Sequence, residues 1–319
     1  MKKVFIALLL VLALTFSLVA CGEKEDTAGA DLFKMYLITM DRTDGHWKKV
    51  DAGCLDAVAE IGADKIEYVW DAPQDGKDDN QQVECINNAV AAGADLILLA
   101  AHDANAQTGA IEAAIAEGVK FIFVDSPADI SNDAIIQTIK TNNEAAGKTA
   151  GEALLAALKE KGIEEGKIGI TSPDKGTAST DARVAGFTSA FAGTAFEILE
   201  PQYCDGGKAE VAQEKANDFI TNGVVGLFGA NEGCAVGIAN AIGEAGGEIL
   251  GVGFDTSETV LTAVENGILI GTMAQEPYKM GYMGIKNGYD YLANGTAPAN
   301  KDEDSGATLV DASKVADYK

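Results

Sequence analysis

The stretch 121-FIFVD-125 is a short apolar run that ends in a single aspartate. From residue 35 onward, similar apolar runs alternate with alanine-rich segments in which apolar residues have helical spacing. This alternation of strands and amphipathic helices predicts βαβ units with parallel sheets, arranged as one α/β lobe followed by another. The predicted strands are Met35 to Met40, Ile66 to Trp70, Leu96 to Ala100, Phe121 to Val124, Ile135 to Ile139, Ile168 to Thr171, Val224 to Gly229, Ile249 to Phe254 and Ile268 to Met273.

One predicted helix, over residues 79–92, illustrates the helical part of the pattern. Its residues Val83, Ile86, Val90 and Ala91 fall on one stripe. This is the spacing of a helix face that packs on a sheet.

Strand after strand in this prediction ends in an acid or an amide. The residues concerned are Asp41, Asp71, Asp103, Asp125, Asn231, Glu232 and Asp255. Ligands of open parallel sheets bind beyond the carboxyl ends of the strands, so these side chains stand where a ligand would lie. The same residue types also cap the helix that follows a strand. On the pattern alone, both interpretations stay open for each residue.

The N-terminus has the pattern of an export signal. Two lysines precede an apolar run, Val4 to Ala20, which is too short for a comfortable membrane span. The ending 18-LVAC-21 resembles the lipobox of bacterial lipoproteins. This resemblance implies a signal peptide over residues 1–20, lipidation of Cys21 and a flexible tether over residues 21–33. A plain signal peptide cut near Ala20, or an uncleaved anchor, is the alternative.

Charge and length restrict the class of protein. The formal net charge of −25 at pH 7 disfavours nucleic acid as a partner. Without its signal the chain has about 300 residues, which is enough for two lobes with separate cores.

The remaining cysteines, Cys54, Cys85, Cys204 and Cys234, include no C-x-x-C pair. Neither a zinc knuckle nor a redox motif is therefore indicated. Pairing of Cys54 with Cys85 is disfavoured, because a doubly wound topology places their successive crossover helices on opposite faces of one sheet.

Six stretches, in order and at characteristic spacing, resemble the sugar-binding proteins of bacterial ABC importers, the ribose-binding-protein-like class. They are FIFVDS (121–126), TNNEAAGKTAGE (141–152), DARVAGF (181–187), FGANEGCAVGIANAI (228–242), GVGFDTSE (251–258) and GTMAQEPYKMGYMGI (271–285). The similarity extends to the effector domain of lactose-repressor-type regulators. It implies the type 1 periplasmic binding protein fold, an α/β architecture of two doubly wound parallel-sheet lobes joined by a three-strand hinge.

The implied hinge makes each lobe discontinuous, with crossings near Thr141, Glu276 and Thr308. The expected N-terminal lobe comprises residues 34–141 plus 277–306, and the expected C-terminal lobe comprises residues 142–276 plus 307–319. The ligand lies in the cleft between the lobes and is enclosed by hinge closure.

The resemblance also assigns roles to individual residues. Asp125 matches the carboxylate of the N-terminal lobe that accepts from sugar hydroxyls, and Arg183 matches the arginine that donates to sugar oxygens. Asn231 and Asp255 match the amide and carboxylate contacts of the C-terminal lobe. Asn143 falls in the hinge segment and is a further candidate ligand contact.

Two segments depart from the family pattern. In 275-QEP-277, Gln275 and Glu276 are candidate contacts, and Glu276 stands where the ribose binders carry a glutamine. After the first strand, Asp44, His46 and Trp47 fall on positions that usually hold an asparagine and two stacking aromatics. Trp47 still offers an apolar face for sugar C–H groups. Weaker candidates are His102, Asp103 and Tyr203.

Without the family, the residues still favour a polyhydroxylated ligand. The only arginines, Arg42 and Arg183, are predicted in loops near the acceptor series. An arginine fork that faces carboxylates and amides suits neutral hydroxyl groups, each of which donates and accepts at once.

The expected function is therefore that of a monomeric, extracytoplasmic solute-binding protein, lipid-anchored at the outer face of the cell membrane. It captures a small sugar or sugar-like polyol and delivers it to an ABC permease, with no reaction, cofactor or metal and with no membrane contact beyond the anchor. One alternative is a non-sugar ligand such as an amine, nucleoside or other cationic solute. Another is a sensor that signals to a chemoreceptor or kinase. A glycoside hydrolase is disfavoured, since the sequence does not show two carboxylates at the required separation.

Overall fold

The computed structural model describes residues 32–74, 78–246 and 248–319. The predicted signal peptide, Cys21 and the tether up to residue 31 lie outside the described residues. Within these ranges, no helix has both the length and the apolar character needed to cross a bilayer.

Strands and helices alternate along the chain. The strands are β1 (Phe33–Ile38), β2 (Ile66–Asp71), β3 (Leu96–Leu99), β4 (Lys120–Val124), β5 (Ile135–Lys140), β6 (Glu165–Ser172), β7 (Ala195–Ile198), β8 (Gln202–Tyr203), β9 (Val224–Gly229), β10 (Leu250–Phe254), β11 (Gly271–Gln275), β12 (Asp302–Asp304) and β13 (Ala307–Val310). The helices are α1 (Gly45–Ile61), α2 (Asp79–Ala91), α3 (Thr108–Ala116), α4 (Asn143–Glu160), α5 (Ala178–Ala190), α6 (Ala209–Thr221), α7 (Glu232–Glu244), α8 (Glu258–Glu265) and α9 (Pro277–Asn294), followed by a 3₁₀ turn over Val315–Tyr318.

The strands form two sheets. The first has the order β12-β5-β4-β3-β1-β2, and each neighbouring pair is parallel. The second has the order β13-β11-β10-β9-β6-β7, with β8 beside β6, and only the pairing of β13 with β11 is antiparallel among the described strands. We refer to the first sheet with α1, α2, α3 and α9 as the N-terminal lobe and to the second with α4 to α8 as the C-terminal lobe. The predicted α/β fold with two doubly wound lobes is confirmed.

Each sheet is covered by helices on both faces. In β1, Leu37 packs into the core under α1 and α9, whereas its neighbour Ile38 packs into the core under α2 and α3. In β9, Leu227 and Phe228 divide in the same way between the two cores of the C-terminal lobe. Because side chains alternate along a strand, a strand buried on both faces is apolar without interruption.

The cysteines of the N-terminal lobe follow the same division. Cys54 of α1 and Cys85 of α2 belong to cores on opposite faces of the first sheet, in agreement with the expectation that they do not pair. All four described cysteines are free thiols.

The prediction of strands from apolar runs was wrong in two ways. The first and the last predicted strands are displaced, since β1 begins at Phe33 and β11 begins at Gly271. Four edge segments, β7, β8, β12 and β13, were not predicted. The strand β12 consists of 302-DED-304, which has no apolar run and is a strand only because it pairs with β5.

The stripe predicted for α2 also requires correction. The buried residues are Gln82, Cys85, Ile86 and Ala89, whereas Ala91 is exposed. Gln82 faces inward because its side-chain amide donates to the carbonyl oxygens of Thr39 and Ala100, at 3.1 and 2.9 Å. The buried face of α2 therefore includes a polar residue, Gln82, which satisfies backbone carbonyl groups at the ends of β1 and β3.

Candidate functional site

Residues from both lobes converge in a narrow cleft at the carboxyl ends of the strands. Two cavities lie there. The smaller has a volume of about 40 Å³ and is lined by Met40, Asp44, His46, Trp47, Asp125, Pro173, Thr177, Ser179, Thr180, Arg183, Asn231, Asp255 and Gln275. The larger, of about 490 Å³, shares Asp125 and Ser179 with the smaller and extends past the segment that joins β5 to α4.

Two aspartates that directly follow strands provide the carboxylates of the cleft. Asp125 follows β4 in the N-terminal lobe and Asp255 follows β10 in the C-terminal lobe, and they are 4% and 8% exposed. Both have a left-handed backbone, with φ of 62° and 70°. A non-glycine residue with positive φ costs on the order of 1 kcal/mol or more and persists where its surroundings fix it. This conformation turns each carboxylate into the cleft.

Arg183 of α5 is the buried cation of the C-terminal lobe, and it is 3% exposed. Its Nε donates to Asn143 Oδ1 at 2.8 Å, Nη1 to the carbonyl of Ala230 at 3.0 Å and Nη2 to Gln275 Oε1 at 2.6 Å. Gln275 in turn donates through Nε2 to Asp255 Oδ1 at 2.7 Å. The guanidinium is thereby held by a connected network.

Arg183 also faces an aromatic ring and a carboxylate of the other lobe. Its Cζ lies 4.2 Å from the centre of the Phe254 ring, a cation–π arrangement. Its Nη2 lies 3.8 Å from Asp125 Oδ1 in the N-terminal lobe.

Close packing of α4 against α5 brings Arg183 to this place. A Cβ on Gly147 would lie 2.1 Å from the backbone oxygen of Arg183, and a Cβ on Gly186 would lie 2.0 Å from that of Glu144. Only glycine permits this approach of the two helices. Because Asn143 opens α4, the approach also delivers the amide that accepts from Arg183 Nε.

His46, near the start of α1, lies between the two carboxylates. Its Nε2 is 3.4 Å from Asp125 Oδ1 and its Nδ1 is 3.7 Å from Asp255 Oδ1. Burial lowers the pKa of His46, but the proximity and charge of Asp125 and Asp255 outweigh that effect and raise the pKa to about 10. At neutral pH the ring is therefore an imidazolium that faces one carboxylate from each lobe.

The histidine in turn lowers the pKa of both carboxyl groups. Burial acts to raise these values, but His46 and then Arg183 outweigh it, so that the pKa of Asp255 falls to about 2 and that of Asp125 also falls. Glu232 behaves in the opposite way. Burial, followed by the charges of Asp44 and Asp255, raises its pKa to about 7.

Three polar atoms in this cleft are buried but have no hydrogen-bond partner among the described residues. They are His46 Nε2, Trp47 Nε1 and Asp125 Oδ1. Most buried side-chain polar atoms are hydrogen-bonded. His46 Nε2 and Asp125 Oδ1 face each other at 3.4 Å but without hydrogen-bond geometry. Both therefore keep hydrogen-bonding capacity for a polar guest.

Asp44 and Asn231 combine a capping role with a position in the cleft. Asp44 accepts from the backbone N–H of His46 at the start of α1, and Asn231 accepts from that of Cys234 at the start of α7. Both residues also line the small cavity. Capping a helix and lining the ligand site are therefore compatible roles for these two side chains.

Trp47 packs in the core beneath α1 and also lines the small cavity. Its ring stands nearly perpendicular to that of His46, with the ring centres 4.7 Å apart.

Among the main candidate ligand contacts, Glu276 is the one that lines neither described cleft cavity. It is exposed and precedes α9, whereas Gln275 is buried and joins the Arg183 network. Gln275 therefore supplies an amide on the cleft side, whereas the side chain of Glu276, the expected departure from the ribose binders, is exposed.

Arg42 and two of the weaker candidates, Asp103 and Tyr203, also lie elsewhere. Arg42 donates to the carbonyl of Trp70 and to Asp71, outside the cavity lining. Asp103 accepts from two backbone N–H groups of its own turn. Tyr203 is 39% exposed, and neither cleft cavity includes it.

Sequence reasoning missed several hydroxyl groups in the cleft wall. Thr177, Ser179 and Thr180 line the small cavity from the start of α5. Thr141 was expected only in the hinge, yet its hydroxyl donates to Gln275 Oε1 at 3.1 Å. Small hydroxyl residues are common at helix starts, so no pattern separated these from ordinary capping residues.

The chain matches the model of the periplasmic binding protein domain over residues 35–296. It therefore belongs to this family of binding proteins, and the predicted similarity to ribose-binding-protein-like sugar binders is confirmed.

Among curated relatives, the ribose import binding protein RbsB of Haemophilus influenzae is 26% identical over 228 residues, which cover 71% of this chain and 76% of that protein. Two solved structures are also similar. A carbohydrate transporter solute-binding protein of Agrobacterium radiobacter, in complex with D-arabinose, is 29% identical with a TM-score of 0.82 and coverage of 89% of this chain and 96% of that one. An ABC transporter solute-binding protein of Agrobacterium vitis, bound to α-D-tagatopyranose, is 26% identical with the same TM-score and the same coverage.

Proposed function

We propose that this protein captures a small sugar or sugar-like polyol outside the cytoplasm and delivers it to an ABC permease. The observation that carries the proposal is a group of buried atoms without a hydrogen bond among the described residues, His46 Nε2, Trp47 Nε1 and Asp125 Oδ1, whose side chains line the same cavity as Arg183. The cavity thus presents a mixed pattern of donors and acceptors. Vicinal hydroxyl groups match such a pattern because each can donate and accept.

The charges of the cleft favour a neutral ligand over an amine or another cation. Among the residues that line the small cavity, Asp125 and Asp255 are the buried carboxylates, and His46 and Arg183 supply two cations within 3.8 Å of them. The buried charges therefore balance before any ligand enters. An ammonium group would add an uncompensated buried charge, which costs several kcal/mol.

Ligand entry requires movement of the lobes. A cavity of about 40 Å³ exceeds the volume of one water molecule only slightly, so a sugar enters when the cleft opens and polar side chains move aside. A ligand that contacts both lobes only when they are closed shifts the equilibrium toward closure. The adjoining cavity of about 490 Å³ is of ligand size.

The proposal includes the parts of the chain beyond the binding site. Cys21 is the lipidated first residue of the mature protein, the lobe boundaries are those expected from the hinge pattern, and the protein acts as a monomer without catalysis. The lobe arrangement supports the boundaries, because the chain passes between the two sheets after β5, after β11 and after β12. Signalling to a chemoreceptor or kinase would use the same cleft.

A thermal-shift panel of pentoses, hexoses, polyols, nucleosides and polyamines, with the purified mature chain, tests this function. A ligand at a hundred times its dissociation constant should stabilise the folded state by about 2.7 kcal/mol. We expect this response for a sugar or polyol and recovery of that compound without chemical change.

The variants Asp125→Ala and Arg183→Ala should abolish the shift, whereas Arg42→Ala should retain it. Arg42 is the matched control because it is the other arginine of the chain and lies outside the cavity lining. A response to polyamines alone, or an undiminished sugar response in both cleft variants, would contradict the proposal.

A further inference from the structure

His102 lies at a second contact between the lobes, outside the lining of the cleft cavities. It follows β3 in the N-terminal lobe. Its Nδ1 is 3.0 Å from Asp79 Oδ1 at the start of α2, in the same lobe. Its Nε2 is 3.3 Å from Asp174 Oδ2, in the loop that follows β6 in the C-terminal lobe.

The geometry requires a charged ring. A neutral imidazole has one donor and one acceptor nitrogen, so it can satisfy only one of two carboxylates. Only the imidazolium donates to Asp79 and Asp174 at once. Burial lowers the pKa of His102, but the two aspartates outweigh burial and raise it.

Two further hydrogen bonds belong to the same contact between the lobes. The hydroxyl of Thr177 donates to the carbonyl of His102 at 2.8 Å, and Ala104 N–H donates to the carbonyl of Gly176 at 3.3 Å. Thr177 and Gly176 belong to the C-terminal lobe, whereas His102 and Ala104 belong to the N-terminal lobe. The loop after β3 is thus joined to the loop before α5.

The neighbouring polar groups hold the two aspartates in place. Gln107 Nε2 donates to Asp79 Oδ1 at 2.9 Å, and Gly206 N–H donates to Asp174 Oδ1 at 3.1 Å. The other charged groups near this cluster are Asp78, whose pKa the charge of His102 helps to lower, and Lys208, whose pKa Asp174 helps to raise. Asp103 lies in the same loop as His102 and contacts Gly176.

We propose that His102 is a positioning residue that clamps the two lobes together through Asp79 and Asp174, and so stabilises the closed form without contacting the ligand. This inference rests on the proposed function, since it assumes that the lobes open and close. Both histidines of the chain then act across the cleft, His46 inside the binding site and His102 beside it.

Small-angle X-ray scattering of the full mature chain without added sugar measures this clamp directly. In the wild type, the imidazolium should favour the compact form at acidic pH. This contribution should disappear as pH rises through the raised pKa of His102, so the difference in mean radius of gyration between His102→Gln and the wild type should shrink with rising pH. His102→Gln should already be more open at pH 6, with a roughly two- to five-fold higher ratio of open to closed molecules.

Asp174, in the opposite lobe, provides a second test. Asp174→Asn should open the cleft to a similar extent, and the double variant should open it no further than either single change. Asp133→Asn is the control, because it removes one carboxylate at an exposed position far from either contact in sequence. If His102→Gln and Asp174→Asn both retained the wild-type radius and its dependence on pH, the clamp would be ruled out.

This readout separates the clamp from the proposed function. Scattering without sugar does not depend on which ligand binds. A sugar response with unchanged scattering in both variants would overturn the clamp alone. A protein that responds to polyamines but whose lobes open in His102→Gln would overturn the sugar assignment alone.

Discussion

Gln275 connects the cation and the carboxylate of the C-terminal lobe, since its amide oxygen accepts from Arg183 and its amide nitrogen donates to Asp255. Each hydrogen bond involves a charged partner, and such bonds contribute about 1.5–3 kcal/mol. Gln275 therefore fixes the orientation of both charged groups. It thereby determines where their remaining donors and acceptors point. Glu276, one position later, is exposed and has no such connection.

This neighbouring pair yields a prediction at the scale of the residue. Gln275→Ala should weaken sugar binding by roughly 10-fold or more, because Arg183 Nη2 and Asp255 Oδ1 lose a shared partner inside a closed cleft. Glu276→Ala should change affinity by less than about 2-fold. Isothermal titration calorimetry with the sugar identified in the panel measures both. Equal losses in the two variants would show that the site extends to Glu276.

At the scale of the element, the contact between α4 and α5 determines where the guanidinium lies. Gly147 and Gly186 have no side chain that would hold the two helices apart. The first residue of α4, Asn143, and the middle of α5, Arg183, meet only at this separation. The packing of these two helices therefore determines where Arg183 lies in the ligand site.

Gly147→Ala should destabilise the protein by about 1–3 kcal/mol and reduce the sugar response, because the added methyl group would overlap the backbone of Arg183. Gly109→Ala is the matched control. Gly109 lies in α3, where an added Cβ would meet no atom within 4 Å. Alanine there should be neutral or stabilising by up to about 1 kcal/mol, since it favours helix more than glycine does. Urea unfolding, with and without the sugar, distinguishes the two outcomes.

At the scale of the whole molecule, the cleft is closed over two buried cations and two buried carboxylates that come from both lobes. His46 carries a charge between Asp125 of its own lobe and Asp255 of the other. The closed arrangement therefore depends on protonation of an imidazole. Its pKa of about 10 in this state, against an ordinary 6.5, couples pH to the stability of the closed molecule.

The sign of this coupling follows from the raised pKa. The stabilisation from His46 is fully present below pH 6.5 and is lost progressively as pH rises from 6.5 to about 10. The melting temperature of the wild type should therefore fall over this window more steeply than that of His46→Gln. The difference between the two curves removes the common contribution of lysines and tyrosines. Parallel curves would show that the imidazole is neutral or unpaired.

The sequence by itself determined the alternation of apolar strands and helices, and with it the two parallel-sheet lobes. This is possible because burial on both faces demands apolar runs that are visible without coordinates. Motif similarity likewise indicated Asp125, Arg183, Asn231 and Asp255 as candidates, and all four line one cavity.

Only the tertiary structure decided which strand-end acids face the cleft and which serve their own turn or a neighbouring arginine. Asp125 and Asp255 turn inward, whereas Asp103 satisfies local backbone groups. It also showed that Gln275 is buried in the Arg183 network, whereas Glu276, beyond the end of β11, is exposed. The two histidines appeared in the sequence as isolated residues. Their carboxylate partners are distant in sequence, so only the closed packing of the lobes reveals that each ring lies between an aspartate of one lobe and an aspartate of the other.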